Sequence, residues 1–499
     1  MMNRRHFVQS TVAAAVAAAL PWSRLYALDQ EASQAAAGIS AVKLDGSATV
    51  IEQAAVKELK AGLRGPLMLA GDAGYDDARR VLNRSIDRKP ALIVQPTGVA
   101  DIQSAVNFAR DRGLLTAVKC GGHSYGGKST CDGGLQIDLS RLRGVRIDPG
   151  ARVAYVEGGS LLGEIDHEAM ALGLVTTSGT VSHTGVGGLT LGGGFGRLAR
   201  RFGLAIDNLR AVDIVTADGR YLHADTDENP DLYWGVRGGG GNFGVVTNFE
   251  FSLHPMQRQV VGGDIVFPIG RARELLEFYA DYSSTVPAEL YVDAIMIALP
   301  GGKPGSFILH TCYSGPPGEA EAVLAPIRKL GSPIADTIRS MDYIAAQRLH
   351  DRVDPRNEGT YLKSGFIGGF KGGLIDDIVT GFQGHPERGT ALFFQHGGGA
   401  IGEVPSGATA FPHRYAKYNM LTAVNWPLEL DRTPHVDYLR ALWSKLEPHA
   451  RGYYMNEVAD EAQAVVDENY QGNIGRMREI KKKYDPMNLF RLNANVQPA

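Results

Sequence analysis

At 499 residues, 44% hydrophobic and 21% charged, the chain has the make-up of a soluble globular protein of about two to four domains. A formal net charge of −3 gives no large field for gathering phosphate backbones, which argues against nucleic acid as a partner. The outlying count is glycine, 62 residues where roughly 7% is usual. With no Gly-X-Y period, the excess lies in clusters at 121–127, 185–196 and 235–244, a sign of backbone closely approaching something.

Residues 1–27 read as a targeting signal: Arg4 and Arg5 precede Phe7, an Ala/Val run follows over 8–20, and Leu25-Tyr26-Ala27 resembles a cleavage site. The run is short for a bilayer span, so no stable membrane insertion is expected. The twin arginine points to the route that exports folded bacterial proteins, hence a periplasmic or secreted location. An ordinary secretory signal is the plainer alternative.

From about 85 to 255 the pattern is α+β. Strands are predicted at 91–95, 114–119, 135–139, 153–157, 211–216, 221–224 and 245–253, with helices at 99–112 and 161–172. From about 258 to 455 longer strands at 262–267, 291–299, 306–313 and 391–396 alternate with helices at 319–330 and 436–446, which predicts an antiparallel sheet with helices on one face. A helix at 473–484 precedes an extended, Asn-containing tail. The three cysteines, Cys120, Cys131 and Cys312, are too few for a disulfide framework; Cys120 and Cys131 either form one bridge or stay as buried thiols. No cysteine or histidine spacing marks a metal site, and none is expected.

Two motif matches fail on context. Residues 122–129 fit the phosphate-loop string of nucleoside triphosphatases, and 239–244 fit the dinucleotide fingerprint. Each motif must open a helix whose N-terminal amides bind phosphate, and here each leads into a strand. What remains is three long glycine clusters within one stretch of the chain, arranged to admit a flat ring or a pyrophosphate to the main chain.

Gln95-Pro96-Thr97, Gly121-Gly122-His123-Ser124, Gly179-Thr180 with Gly185-Val186-Gly187-Gly188, the glycines of 192–196, residues 237–246, and 481–490 ahead of Asn493 and Asn495 occur in an order that resembles the berberine-bridge-enzyme-like branch of the vanillyl-alcohol-oxidase flavoproteins. The resemblance covers 88–255 and 453–498; the middle region matches in layout only. It implies an α+β fold with a bipartite PCMH-type FAD-binding domain (28–257, completed by 456–499) and an antiparallel-sheet substrate domain (258–455). It implies FAD as cofactor, linked covalently through a ring nitrogen of His123 to the flavin 8α-methyl. Relatives often add a cysteinyl link; that position here is Val181, so a single histidyl link is expected. The cofactor contacts implied are Lys119, Cys120, Gly121, Gly122, Ser124, Gly127, Thr180, Val181, Gly185, Val186, Gly188, Gly192, Gly193, Gly194, Gly196, Gly244, Val246, Asn493 and Asn495. Val186 falls where a small residue leaves molecular oxygen a path to the flavin edge, which favours an oxidase over a dehydrogenase; a packing valine is the competing account. Tyr454 is the expected general base and Tyr125 a second catalytic residue. A phenol ordinarily titrates near pH 10, so Tyr454 needs a donor or cation to act as phenolate. The expected activity is oxidation of an alcohol or amine centre in a small organic substrate (sugar, alkaloid or phenolic), yielding hydrogen peroxide. The alternatives are a dehydrogenase and a non-catalytic binding protein. Oligomeric state is not legible.

Overall fold

The computed structural model describes residues 38–499 except 352–357 and 458–460. The expected signal at 1–27 lies outside the described residues.

The first layer of the cofactor region is a four-stranded sheet. Leu92–Val94 and Thr116–Lys119 flank Leu135–Asp138 in parallel, and Leu67–Met68 pairs antiparallel on the Leu92–Val94 edge. Leu92–Val94 is a continuous apolar run, whereas Thr116–Lys119 and Leu135–Asp138 also bury the polar Thr116, Lys119, Gln136 and Asp138. Helix Val99–Arg112 presents Ile102, Ala105, Val106 and Ala109 to one face at helical spacing, and Gly113, at φ 60°, ends it in the left-handed region. A second, antiparallel sheet runs in the order Tyr221–Ala224, Leu209–Thr216, Gly244–Ser252, Val153–Glu157, Val145–Asp148. The C-terminal helix Ile474–Tyr484 packs Met477, Ile480 and Tyr484 into the core of this second sheet. The chain's last segment therefore returns to the cofactor region.

The third sheet is large and antiparallel. Its path is Ala335–Asp336, Gln259–Pro268, Ser306–Tyr313, Leu290–Ala298, Gly389–His396, Tyr418–Pro427, Glu358–Ile367, with Arg339–Asp342 also pairing to Gln259–Pro268. Helices Ala272–Thr285, Ala320–Arg328, Leu374–Gly381 and Thr433–Leu446 bury its far face. Strand periodicity sorts the side chains: Tyr418, Met420, Val424 and Trp426 enter the helix-covered core, whereas Leu421, Ala423 and Asn425 point the other way. That second face looks onto the cofactor region.

Buried polar contacts join the two regions. Arg197 donates to Thr180 O (3.1 Å), Gln347 Oε1 (2.9 Å) and His310 Nε2 (3.2 Å). Arg200 donates to Leu290 O and Gly397 O, and Asn83 bridges Tyr125 O and Thr360 O. Arg414 makes a two-pronged ion pair with Asp207 at 2.7 and 2.8 Å.

Candidate active site

A cavity of about 910 Å³ lies between the glycine-rich segments and the free face of the large sheet. Thr116–Lys119 delivers the chain to Gly121-Gly122-His123, and the 180–188 loop lies against it. A β-carbon on Gly121 would stand 2.3 Å from the nitrogen of Gly185, and one on Gly185 2.3 Å from the nitrogen of Gly121. The two main chains touch, so only glycine fits at either place. Gly188 and Gly241 are different: an added β-carbon there meets nothing within 4 Å, and both residues line the cavity. Side chains at these two points would occupy the space a ligand needs. His123 stands in this wall with its Nε2 2.7 Å from His183 Nδ1 and its Nδ1 3.2 Å from Thr184 Oγ1.

The opposite wall combines apolar and polar groups from alternate strand positions. Leu362, Ala391, Phe393, Leu421 and Ala423 form its apolar part, with Tyr125 packed against them from the cofactor side. Gln395, Asn425, Thr360 and Glu457 supply the polar part. Tyr454 also lines the cavity, and its hydroxyl oxygen accepts from the Gly194 amide (3.0 Å) and Asn456 Nδ2 (2.9 Å). Burial, followed by the charge of Glu457, pushes the Tyr454 phenol well above its ordinary range despite these two donors. Glu457, three residues on, accepts from Asn419 Nδ2 at 2.7 Å, and burial pushes its carboxyl up to about 8. That value lies where a carboxylate exchanges protons near neutral pH. The sequence reading missed Glu457, although it directly follows the Tyr454-Met455-Asn456 string.

Of the residues expected at the site, the structure brings Cys120, Gly121, Gly122, His123, Ser124, Tyr125, Thr180, Val181, Gly185, Gly188, Gly244, Val246, Tyr454 and Asn493 to the cavity. It places the others elsewhere. Lys119 donates to Ala78 O (2.6 Å) beside Asp138 and acts within the fold. Val186 is buried at the start of the short helix Val186–Leu191 and packs in the core, which is the competing account given for it. Gly127, Gly192, Gly193, Gly194 and Gly196 are glycines because protein atoms crowd them: a β-carbon would meet Ile86, Asn456, Phe411, Ala205 and Ser178 respectively, the last at 1.6 Å. Asn495 lies off the cavity and offers its carbonyl to Gln463. All three cysteines are free, Cys131 and Cys312 buried and Cys120 half-buried at the cavity, so no Cys120–Cys131 bridge forms.

Family models agree with this geometry. An FAD-binding domain matches residues 90–225, and a berberine and berberine-like domain matches 453–497. An FAD-linked oxidoreductase of Dictyostelium discoideum is 33% identical over 448 residues, 89% of this chain and 97% of that protein. The chain belongs to the berberine-bridge-enzyme-like FAD-linked oxidoreductases. A xylooligosaccharide oxidase of Thermothelomyces thermophilus is 27% identical over 495 residues, covering 92% of this chain and 98% of that one. Among solved structures, 6-hydroxy-D-nicotine oxidase from Arthrobacter nicotinovorans superposes with a TM-score of 0.81 at 26% identity, over 88% of this chain and 98% of the other. This oxidoreductase uses FAD, and its cavity fits the cofactor. Side chains at Gly188 and Gly241 would project into the open space of the cavity, and Asn493 has a buried carboxamide oxygen that takes no hydrogen bond from any described residue. An orphaned acceptor in a cavity wall marks a place for a ligand's N–H or O–H. Asn493 Nδ2 donates to Phe490 O (3.0 Å), and the buried Lys481, which donates to the same carbonyl, to Asn242 O and to Asp485 Oδ2 at 2.6–3.0 Å, ties the C-terminal return to the 239–244 loop.

Proposed function

We propose that this chain is an oxidase that carries FAD covalently on His123 and oxidises an alcohol or amine centre of a small organic substrate, with oxygen as acceptor and hydrogen peroxide as product. The observation that carries this reading is the position of His123, set in the wall of a glycine-lined cavity with both ring nitrogens held by neighbours. When bound, FAD supplies the hydride acceptor and the route of electrons to oxygen. The residues of the chain do the rest. The two glycine segments admit the ring system, and Asn493 offers it an acceptor. Glu457 takes the substrate proton, because it combines access to the cavity with a proton affinity suited to neutral pH. Tyr454, expected from the sequence as the base, instead holds substrate against the cofactor wall, its own proton kept on by burial. The apolar strand face of Leu362, Phe393 and Leu421 excludes water and favours a ring-bearing alkaloid or phenolic over an oligosaccharide, which needs hydrogen-bond partners along its whole length. The Arg4-Arg5 string supports export in the folded, cofactor-loaded state as part of this reading.

Two measurements test the reading. On a denaturing gel, yellow flavin fluorescence should stay with the wild-type band and leave the His123→Ala band. Protein reduced under anaerobic conditions should regain its flavin colour within seconds of admitting air, with stoichiometric peroxide. Flavin that stays bleached in air but recovers with a quinone would make the protein a dehydrogenase.

A further inference from the structure

His183 is a second histidine beside the proposed linkage site, and its contact with His123 is specific. The two rings meet through nitrogens, His123 Nε2 to His183 Nδ1 at 2.7 Å, with centroids 4.7 Å apart and planes inclined at 45°. A nitrogen–nitrogen contact of that length needs one N–H and one lone pair, so each ring sets the other's tautomer. The loop carrying His183 is fixed from three sides. Ser182 gives both its amide (2.8 Å) and its hydroxyl (2.6 Å) to Asp351, the Thr184 amide bonds Val181 O, and Gly185 lies against Gly121. His183 is therefore held opposite His123 by structure built for the purpose of neither ring alone.

The other nitrogen of His123, Nδ1, is beside Thr184, which lines the cavity. With the His123 proton on Nε2, the Nδ1 lone pair is the one available toward the cavity, and the Thr184 hydroxyl can donate to it until the cofactor arrives.

We propose that His183 is the proton acceptor for attachment of FAD to His123, the bond forming at Nδ1; the inference rests on the histidyl-FAD reading above. The chemistry requires such a group. Bonding of Nδ1 to the flavin 8α-carbon leaves His123 an imidazolium unless Nε2 gives up its proton, and His183 Nδ1 is in position to take it. In balance, one C–H bond at the 8α-carbon breaks and its proton goes to solvent, the Nδ1–C bond forms, and the Nε2 proton passes to His183. The two electrons of the broken bond remain on the flavin ring. Dioxygen then removes those two electrons with two protons as hydrogen peroxide, and the linked cofactor is left oxidised.

The test compares the full-length wild type with His123→Ala, His183→Ala and His183→Gln, each freed of unlinked flavin, incubated with FAD in air and sampled over time. Two quantities are read: total bound flavin by absorbance, which also reports folding, and flavin resistant to acid precipitation. Expected is equal FAD binding in all four, no linked flavin in His123→Ala, and linkage at least roughly 100-fold slower in both His183 variants. Added imidazole should speed His183→Ala and do nothing for His123→Ala. Glutamine at 183 can accept the hydrogen bond and cannot hold a proton. If His183→Gln links at the wild-type rate, His183 is only a positioning contact and the proposal is overturned while the histidyl link stands. If wild type binds FAD and never links it, the histidyl reading fails and this inference with it.

Discussion

Gly121 and Gly188 are both glycines in a cofactor wall, for opposite reasons. Gly121 is required by protein packing, since its missing β-carbon lets two loops touch, whereas a β-carbon on Gly188 would meet no protein atom and would stand in the cavity. Substitution separates the two. Gly188→Val should fold with a melting midpoint close to wild type and lose most bound flavin, read as the ratio of flavin to protein absorbance. Gly121→Val should lose soluble protein altogether. At the same scale, Glu457 predicts the pH profile. Its carboxyl, raised to about 8 by burial, must be deprotonated to act as base, so kcat should climb as pH rises toward 8 and flatten above it. Glu457→Gln should remove that limb and lower kcat by roughly 10²–10⁴-fold, with bound FAD unchanged. A profile that keeps its limb in Glu457→Gln would return the role to Tyr454.

Among elements, the strand pair Tyr418–Pro427 and Glu358–Ile367 makes much of the substrate wall, and neither strand was predicted from the sequence. The first is buried along most of its length, so its pattern lacks the apolar–polar alternation that marks a half-exposed strand; the second is interrupted by Gly359 and Gly365. By contrast, Val99–Arg112, Val153–Glu157, Tyr221–Ala224 and Ser306–Tyr313 fall where expected, each marked off by a glycine or a charged residue at its boundary. The helix Ile474–Tyr484 was legible too, but the buried pair at its C-terminal end was not: Lys481 and Asp485 are one turn apart, a spacing usual for exposed i,i+4 pairs, yet both are fully buried. Removing one partner leaves the other charged without compensation, a cost of about 3–5 kcal/mol. Lys481→Met should therefore lower the urea midpoint sharply, and the double variant Lys481→Met/Asp485→Asn should recover part of the loss.

Over the whole molecule, three buried carboxyls act together on stability. Burial raises Asp166 to about 6, Asp293 to about 7 and Glu457 to about 8, against ordinary values near 4. Between those limits the folded state binds more protons than the unfolded chain. Stability from these groups is thus complete below about pH 4 and is lost as pH rises through 6 to 8. Buried His350, His396 and His413, held below the usual imidazole range by burial, act in the opposite sense below about pH 7, so the carboxyls are read above it: the apoprotein should melt at a lower temperature at pH 8 than at pH 7. Asp293→Asn, which keeps an acceptor for the His396 amide, should narrow that difference by raising the midpoint at pH 8, by on the order of 1–3 kcal/mol. An unchanged midpoint difference in Asp293→Asn would place the pH dependence elsewhere.

Local features of the sequence were sufficient for the family, the cofactor, the glycine-cluster frame of the cofactor wall and the position of His123, because a glycine that must let main chains or a ring pass, and a histidine at the end of a strand, leave their mark within a few neighbouring residues. Which glycines face the cavity and which face protein, the pairing of His183 with His123, and the meeting of Asn419 with Gln395 and Glu457 were decided only in three dimensions. Each depends on how far separate segments are brought together, and burial, which shifts proton affinities and sets the cost of an unpaired charge, is a property of what surrounds a residue in space rather than of its neighbours along the chain.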